Sequence, residues 1–478
     1  MEQQKQLSPE THNLEKELRT QWRITIPLVA MNFTWFAKTA ITTAFLGRLG
    51  ELPLAGATLG FTFANVTGFS LLNGLCGAME PICGQAFGAN NFRLLHKTLL
   101  MSTTLLLSVS VPIAFLWLHV DLILIYFGQH RDLAAVSRRY LIFLIPDLVV
   151  ISFLCPLKAY LSTQNVTVPI MLSSATAAAI HIPATLVLGR ARGLEGIAMA
   201  VWISDVVVAI LLAIYLILWE RRKGGNWKEG GWLEQSGAEW LRLLKLSGPC
   251  CLTTCLEWWC YEIVVLLTGR LPSAQRSVGV LAIVLNFDYL LFSVMLSLAT
   301  CASVRVSNEL GAGRPRAARL AARVCLCVGA GAGVVGAAAM VGAAGEWGKL
   351  FSGERGVVRV VGRMMMVMAA VEVVNFPLAV CGGVVRGTAR PWVGMYANVC
   401  GFYVIGLPLG VVLAFKVGMG LGGLLGGLFG GVVVCLVLLF VFIARIDWDD
   451  ESRKALIMQD LVDDDDEDHN HIPIPIPS

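Results

Sequence analysis

Twelve apolar runs, each of about 20 residues, recur along this chain of 478 residues and decide what it can fold into. They lie near 24–45, 57–78, 98–118, 140–161, 168–188, 194–218, 245–268, 278–301, 321–343, 361–384, 392–414 and 419–443. A run of that length crosses a hydrocarbon core of about 30 Å as a helix. Inside lipid every backbone N–H and C=O needs an internal partner, so the spanning form is helical. The expected fold is therefore an all-α integral membrane protein with twelve transmembrane helices. Composition agrees: 56% of residues are hydrophobic and 15% charged, with mean hydropathy +0.69. Soluble domains carry roughly 25% charged residues. The formal net charge of +4 gives no reason to expect a nucleic-acid partner.

Lys and Arg set the orientation. With both termini cytosolic, the tails and the loops on that side hold 23 of the 37 basic residues and the opposite side holds 13. Lys38 falls inside the first run. The segments 220–245 and 302–323 carry the strongest bias, which places them in the cytosol. Residues 1–23 read as a polar cytosolic tail without a cleavable leader, and 220–244 as a cytosolic linker between two halves. Residues 445–478, with the run "DDDDEDHNH", read as an acidic disordered tail. The sequons at Asn32, Asn65 and Asn165 then fall in helices or on the cytosolic side.

The two halves repeat one another. "PLVAMNFTWFAKTAITTAFLGRLG" from Pro27 aligns without a gap with "PCCLTTCLEWWCYEIVVLLTGRLP" from Pro249. Gly88-Ala89 and Gly311-Ala312 then follow the second helix of each half. Two six-helix lobes, 24–219 and 245–444, related by parallel duplication explain both matches. Each proline removes a helix hydrogen bond, which a neighbouring helix can satisfy or which can serve as a bend during transport.

Other patterns carry little chemistry. The thirteen cysteines lie in apolar runs, apart from Cys83 at the edge of one, and form no CxxC pair, as suits small packing residues. Gly418, Gly420 and Gly423 match GxGxxG, as do Gly331, Gly333 and Gly336, but both sets sit inside spanning runs with no strand before them. Close helix packing accounts for them better. No metal-ligand set, P-loop, HExxH or GxSxG motif is present, so neither a metal, a cofactor nor an enzymatic activity is expected.

Ionisable residues inside the runs are the informative set: Glu257, Glu262, Asp288, Glu372, Asp147, Asp205, Lys38 and His181. A charge at the bilayer centre is expensive and marks function by default. Glu257 and Glu372 lie midway along their runs and stand out for that reason. Within "LEWWCYE" (256–262), five residues turn a helix by about 500°, so Glu257 and Glu262 point roughly 140° apart. Glu257 shares a face with Tyr261, and Trp258 with Glu262. Under the repeat Glu257 corresponds to Trp35 and Glu262 to Ala40, so the first helix has Asn32 and Lys38 but no carboxylate.

"ICGQAFGAN" (82–90), "CLEWWCYE" (255–262), "RVSNELGAGRP" (305–315) and "GGVVRGTARP" (382–391) together resemble the signatures of plant MATE (multidrug and toxic compound extrusion) transporters. The resemblance spans roughly residues 20 to 445. It implies two six-helix bundles in a V-shaped, alternating-access exporter that exchanges protons for organic compounds. A cavity-lining Glu on helix seven and an acidic residue on helix ten fall on Glu257 and Glu372, and a helix-eight Asn on Asn286. Asp288 belongs to no carried-over pattern, and the helix-one Asp of some prokaryotic members has no counterpart.

The expected mechanism is competition of proton and substrate for Glu257 and Glu372. Trp258, Trp259 and Tyr261 offer aromatic surface to the substrate. Glu262, Asn286, Asp288, Asn32 and Trp35 complete the expected cavity. The expected partners are protons, a small organic substrate and the bilayer, and the expected unit is a monomer. Organic cations, alkaloids, flavonoids, hormones and organic anions all occur as substrates among relatives. Lys38 would suit an anion. A lipid or polyisoprenoid-linked flippase is the alternative within the wider superfamily. Plasma membrane, vacuole and Golgi or endosome all remain open as the site of residence.

Overall fold

The computed structural model describes residues 9–223 and 235–457. Twelve helices are long and apolar enough to span a membrane. They are α1 (Asn13–Arg48), α2 (Glu51–Gly88), α3 (Phe92–Leu118), α4 (Arg131–Thr163), α5 (Val168–Arg192), α6 (Leu194–Arg222), α7 (Gly237–Thr268), α8 (Ala274–Gly311), α9 (Pro315–Ala343), α10 (Arg355–Gly387), α11 (Pro391–Lys416) and α12 (Leu421–Ala444). No strand occurs among the described residues. Large apolar side chains face outward along these helices, for example Val111, Phe115, Leu266 and Val335, as a lipid solvent requires.

Apolar residues form two separate cores. One gathers buried residues between Leu46 and Leu243, the other between Cys260 and Ala455. A small third cluster, Ile24, Leu28 and Cys301, joins α1 to α8 across the gap. These cores are the two lobes. The duplication reaches the backbone of the loops. Asn90 and Gly313 take positive φ (60° and 69°) after α2 and α8, and Asn165 and Ala389 (62° and 58°) do so after α4 and α10. At the other end of the bundle Gly193 (φ 59°, ψ −127°) opens α6 and Gly420 (φ 56°, ψ −133°) opens α12. That region of backbone space is reached readily only by glycine, which fixes the residue type at both positions.

Pro27 leaves the Arg23 carbonyl without its helical donor, and the Thr167 hydroxyl donates to it at 3.3 Å. A neighbouring helix thus satisfies the group freed at this proline. The glycines of α11 and α12 serve close packing. A Cβ on Gly427 would lie 2.2 Å from Gly410 backbone atoms, and one on Gly401 would lie 2.1 Å from the Cys435 sulfur. All thirteen cysteines are free thiols.

Three boundaries differ from the sequence reading. The first helix begins at Pro9, so most of the expected tail 1–23 is helical. Glu17 and Gln21 bond to the opposite lobe, so polarity there marks a packed polar end, not a solvated tail. The linker shrinks, because α6 is helical to Lys223 and α7 starts at Gly237; residues 224–234 lie outside the described residues. Residues 448–457 of the expected disordered tail form a helix, α13, with Trp448, Glu451 and Ala455 buried. The acidic run and its histidines lie outside the described residues.

Candidate functional site

The lobes meet at the end where the described residues begin and end. Arg305 of α8 donates from Nε and Nη2 to the two Glu17 oxygens at 3.0 and 2.7 Å, and Nη2 also reaches Glu309 at 2.7 Å. Arg386 of α10 donates to Glu80 of α2 at 3.1 Å, and Lys97 of α3 pairs with Glu239 of α7 at 3.2 Å. Gln85 and Gln21 donate to the Gly387 and Ala321 carbonyls. Glycine lets the backbones touch. A Cβ on Gly84 would fall 1.9 Å from Ser307 Oγ, and one on Gly88 2.2 Å from the Asn308 oxygen.

Midway through the bundle three further bonds, from two side chains, close the seam. Asn32 Nδ2 donates to Ser297 Oγ at 2.9 Å and to the Ser293 carbonyl at 3.3 Å. Trp259 Nε1 donates to the Val66 carbonyl at 3.3 Å. Val66 lies in a π-helical turn, Asn65–Phe69, where α2 departs from regular bonding. Beyond this level Trp35 and Tyr289 are 46% and 40% exposed. The lobes therefore diverge from Asn32 and Trp259 toward the far end, which gives the molecule its V.

The C-lobe wall of the V is acidic. Glu372 is 1% exposed on α10, and Asp288 of α8 is 7% exposed. Their carboxyls lie within hydrogen-bonding reach of each other, and Asn375, one turn along α10, lies close to Glu372 as well. Glu257 is close enough to interact electrostatically with Asp288, Glu372 and Arg386. The Tyr261 hydroxyl sits within range of all three carboxyls. Three acidic groups from α7, α8 and α10 thus converge, with Arg386, already paired to Glu80, as the cation toward the closed end.

The N-lobe wall is balanced. Lys38 Nζ bonds to Asp205 at 2.7 Å, and Asp147 and Lys158 of α4 lie within electrostatic range. His181 bridges Thr42 at 3.0 Å and Ser204 at 2.8 Å. Two aspartates and two lysines gather here, where the other lobe concentrates acid.

The remaining expected residues divide. Trp258 packs edge-on against Phe292, with ring centroids 5.3 Å apart. Glu262 is half-buried beside Tyr289 and away from the acidic group. Asn286 is half-buried on α8, two residues from Asp288 and so on nearly the opposite face. Three placements bear on how these side chains can act. Asn32 and Trp259 spend their N–H donors on the opposite lobe instead of facing an open space, because the lobes touch at their level. Lys38 is no free cation. Sequence reasoning missed Asn375, although it stands at i+3 from Glu372, and the Arg386–Glu80 pair, whose partners lie 306 residues apart.

Comparison with known proteins identifies the architecture. A family model described as MatE matches residues 27–187 and 249–412, and its two segments begin at Pro27 and Pro249, the residues that open the internal repeat. The chain is 58% identical over 443 residues to Protein DETOXIFICATION 56 of Arabidopsis thaliana, covering 92% of this chain and 90% of the relative. It is 37% identical over 446 residues to Protein DETOXIFICATION 49 of the same plant, covering 92% and 88%. The crystal structure of the eukaryotic MATE transporter AtDTX14 superposes with TM-score 0.86 at 29% identity, covering 93% of this chain and 99% of that one. The Vibrio cholerae MATE transporter VcmN in its bent form gives TM-score 0.77 at 16% identity, over 94% and 99%, and bears on the fold alone. Two lobes that begin at equivalent prolines, twelve spanning helices and this likeness over nine-tenths of the chain make it a member of the MATE family, a multi-pass membrane transporter of the plant type and not an enzyme.

Proposed function

We propose that the chain is a proton-coupled antiporter that exports small organic compounds from the cytosol, and that Glu257, Asp288 and Glu372 form its coupling site. The observation that carries this reading is the approach of the Asp288 and Glu372 carboxyls to hydrogen-bonding reach, with Glu257 beside them. Two carboxyls in such contact hold a proton between them, because both charges cannot persist side by side. A cationic substrate offers the alternative means of neutralising the group, so proton and substrate exclude each other. Tyr261 adds a ring and a hydroxyl at the same place.

Orientation rests on the Lys and Arg distribution, which puts both termini in the cytosol. The V then opens away from the cytosol, the side on which protons enter and substrate leaves. An organic anion is disfavoured by the pairing of Lys38 with Asp205, which removes the cation that would receive it. The names of the DETOXIFICATION relatives agree with export of foreign or secondary compounds. The membrane in question is that of the cell surface, the vacuole or the Golgi and endosome.

The test is exchange of an organic cation against an imposed pH gradient in proteoliposomes. Glu257→Gln is expected to lose gradient-driven exchange while remaining folded by thermal unfolding in detergent. Exchange at the wild-type rate would remove Glu257 from the coupling site.

A further inference from the structure

A second charged feature lies outside the V. Between the end of α9 and the first turns of α10 is a cleft of about 780 Å³, lined by Lys349, Arg355, Arg359 and Arg363 over a floor that includes Gly345 and Gly362. The three arginines recur at intervals of four and so form one stripe on α10. Lys349 pairs with Glu346 at 2.6 Å. None of the three arginines has a carboxylate within ion-pair distance among the described residues.

The stripe points away from the transport path. Arg363 and Glu372 are nine residues apart, a rotation of about 900°, so they occupy opposite faces of α10. Glu372 faces the lobe interior, and Arg363 therefore faces the periphery. Arg363 also lies about 12 Å along the helix from Arg355, at the start of the apolar run 361–384 and so near the edge of the hydrocarbon core. Met366, which lines the cleft beside it, is an exposed apolar side chain (57%). Cations at the edge of a lipid-facing surface stand level with the phosphates of the headgroups. Topology sharpens the point. Only 13 of 37 basic residues lie at this end of the bundle, and four of them line this one cleft. The general bias runs against placing cations here.

We propose that this cleft binds the phosphate of a lipid headgroup from the leaflet opposite the chain termini. Arg355, Arg359 and Arg363 take the phosphate oxygens, and the acyl chains run along Met366 toward the bilayer centre. Arginine suits this role because its fork donates two parallel hydrogen bonds to a phosphate. A free phosphate would use the same donors but gains nothing from the apolar wall beside them, which is why the lipid is the chosen occupant.

The experiment uses the full chain in nanodiscs of phosphatidylcholine doped with phosphatidylglycerol, with lipid retained after gentle detergent extraction counted by native mass spectrometry. The double variant Arg359→Ala, Arg363→Ala is expected to retain phosphatidylglycerol about 25-fold more weakly, roughly a factor of five for each cation removed. Lys416→Ala, which removes an exposed cation at the same end of the bundle, is expected to retain it like wild type. The double Lys variant keeps the charge but not the fork and should fall between. Equal retention by wild type and the double Ala variant overturns the proposal. So does displacement of the lipid by inorganic phosphate at equal concentration, which would make the cleft a site for a free anion. Because the readout is bound lipid, the result does not depend on which substrate the transporter carries.

Discussion

Asp288 illustrates how a residue without a motif becomes part of a site. It lies on α8 within the apolar run 278–301, and nothing in the segment "LNFDYLL" says which side chain it meets. Packing of α8 on α10 brings it to Glu372, and the two then share a buried environment with Asn375. Asp288→Asn keeps the shape but leaves one carboxyl where there were two. Gradient-driven exchange is expected to fall by about tenfold or more, equivalent to about 1.4 kcal/mol, in the same proteoliposome measurement. Wild-type exchange would confine coupling to Glu257 and Glu372. Those two were legible in the sequence, since a carboxylate in the middle of an apolar run is conspicuous wherever its partners are. Asp288 was legible as an intramembrane carboxylate, but its pairing with Glu372 was not, and neither was the pairing of Lys38, because each has its partner on another helix. Lys38 and Asp205 are 167 residues apart, and only the fold shows that the lysine is neutralised. The bonds of Asn32 and Trp259 across the seam were not legible for a related reason: helical rotation says which face a donor occupies, not what the other lobe presents to it.

The spanning helices themselves were evident from hydropathy, because lipid permits little else for apolar runs of that length. Their polar extensions were not. Helix α13 lies where charge and polarity read as a solvated tail, yet it is held by specific contacts. Glu451 pairs with Arg390, and the Ser452 hydroxyl donates to the Leu310 carbonyl at 3.3 Å. Leu456 packs toward Gly313, whose backbone (φ 69°) forms the turn after α8. Such docking depends on the far side of the fold and leaves only a faint trace in local sequence. It is also checkable. Arg453 and Lys454 are exposed on α13, but trypsin needs a locally unfolded strand to cut there. Glu451→Ala removes the ion pair, whose arginine is 30% exposed, so the loss is about 1 kcal/mol and cleavage should quicken about fivefold. Intact mass against time would show it. An unchanged rate would mean that Trp448 and Ala455 hold the helix by packing alone.

At the scale of the whole molecule, the seam at the closed end must part for the opposite orientation of the V to form. Two kinds of interaction hold it. One is backbone contact allowed by glycine: a Cβ on Gly311 would fall 2.0 Å from the Gln85 carbonyl oxygen, and backbone cannot step aside as a flexible side chain would. The other is the buried Glu17–Arg305–Glu309 cluster, in which one guanidinium serves two carboxylates. Removing one partner of a buried ion pair leaves the remaining charge uncompensated, a penalty incurred in the closed seam and relieved by water once the lobes part. Gly311→Ala and Arg305→Ala should therefore both shift the molecule toward parting at this end, one by steric exclusion and the other by electrostatics. Cys301 reports the shift. It is 1% exposed, and its thiol donates to the Gln21 carbonyl across the seam at 3.7 Å. Maleimide labelling of Cys301, read by peptide mass in the full chain, is expected to quicken by about tenfold or more in each variant, corresponding to about 1.4 kcal/mol in the equilibrium. Gly331→Ala serves as the control, since a Cβ there meets open space and the seam is untouched. If Gly311→Ala labels no faster than this control, the lobes accommodate the methyl without parting and the seam is softer than its glycines suggest. If Arg305→Ala alone leaves labelling unchanged, backbone packing closes the V and the charges merely decorate it.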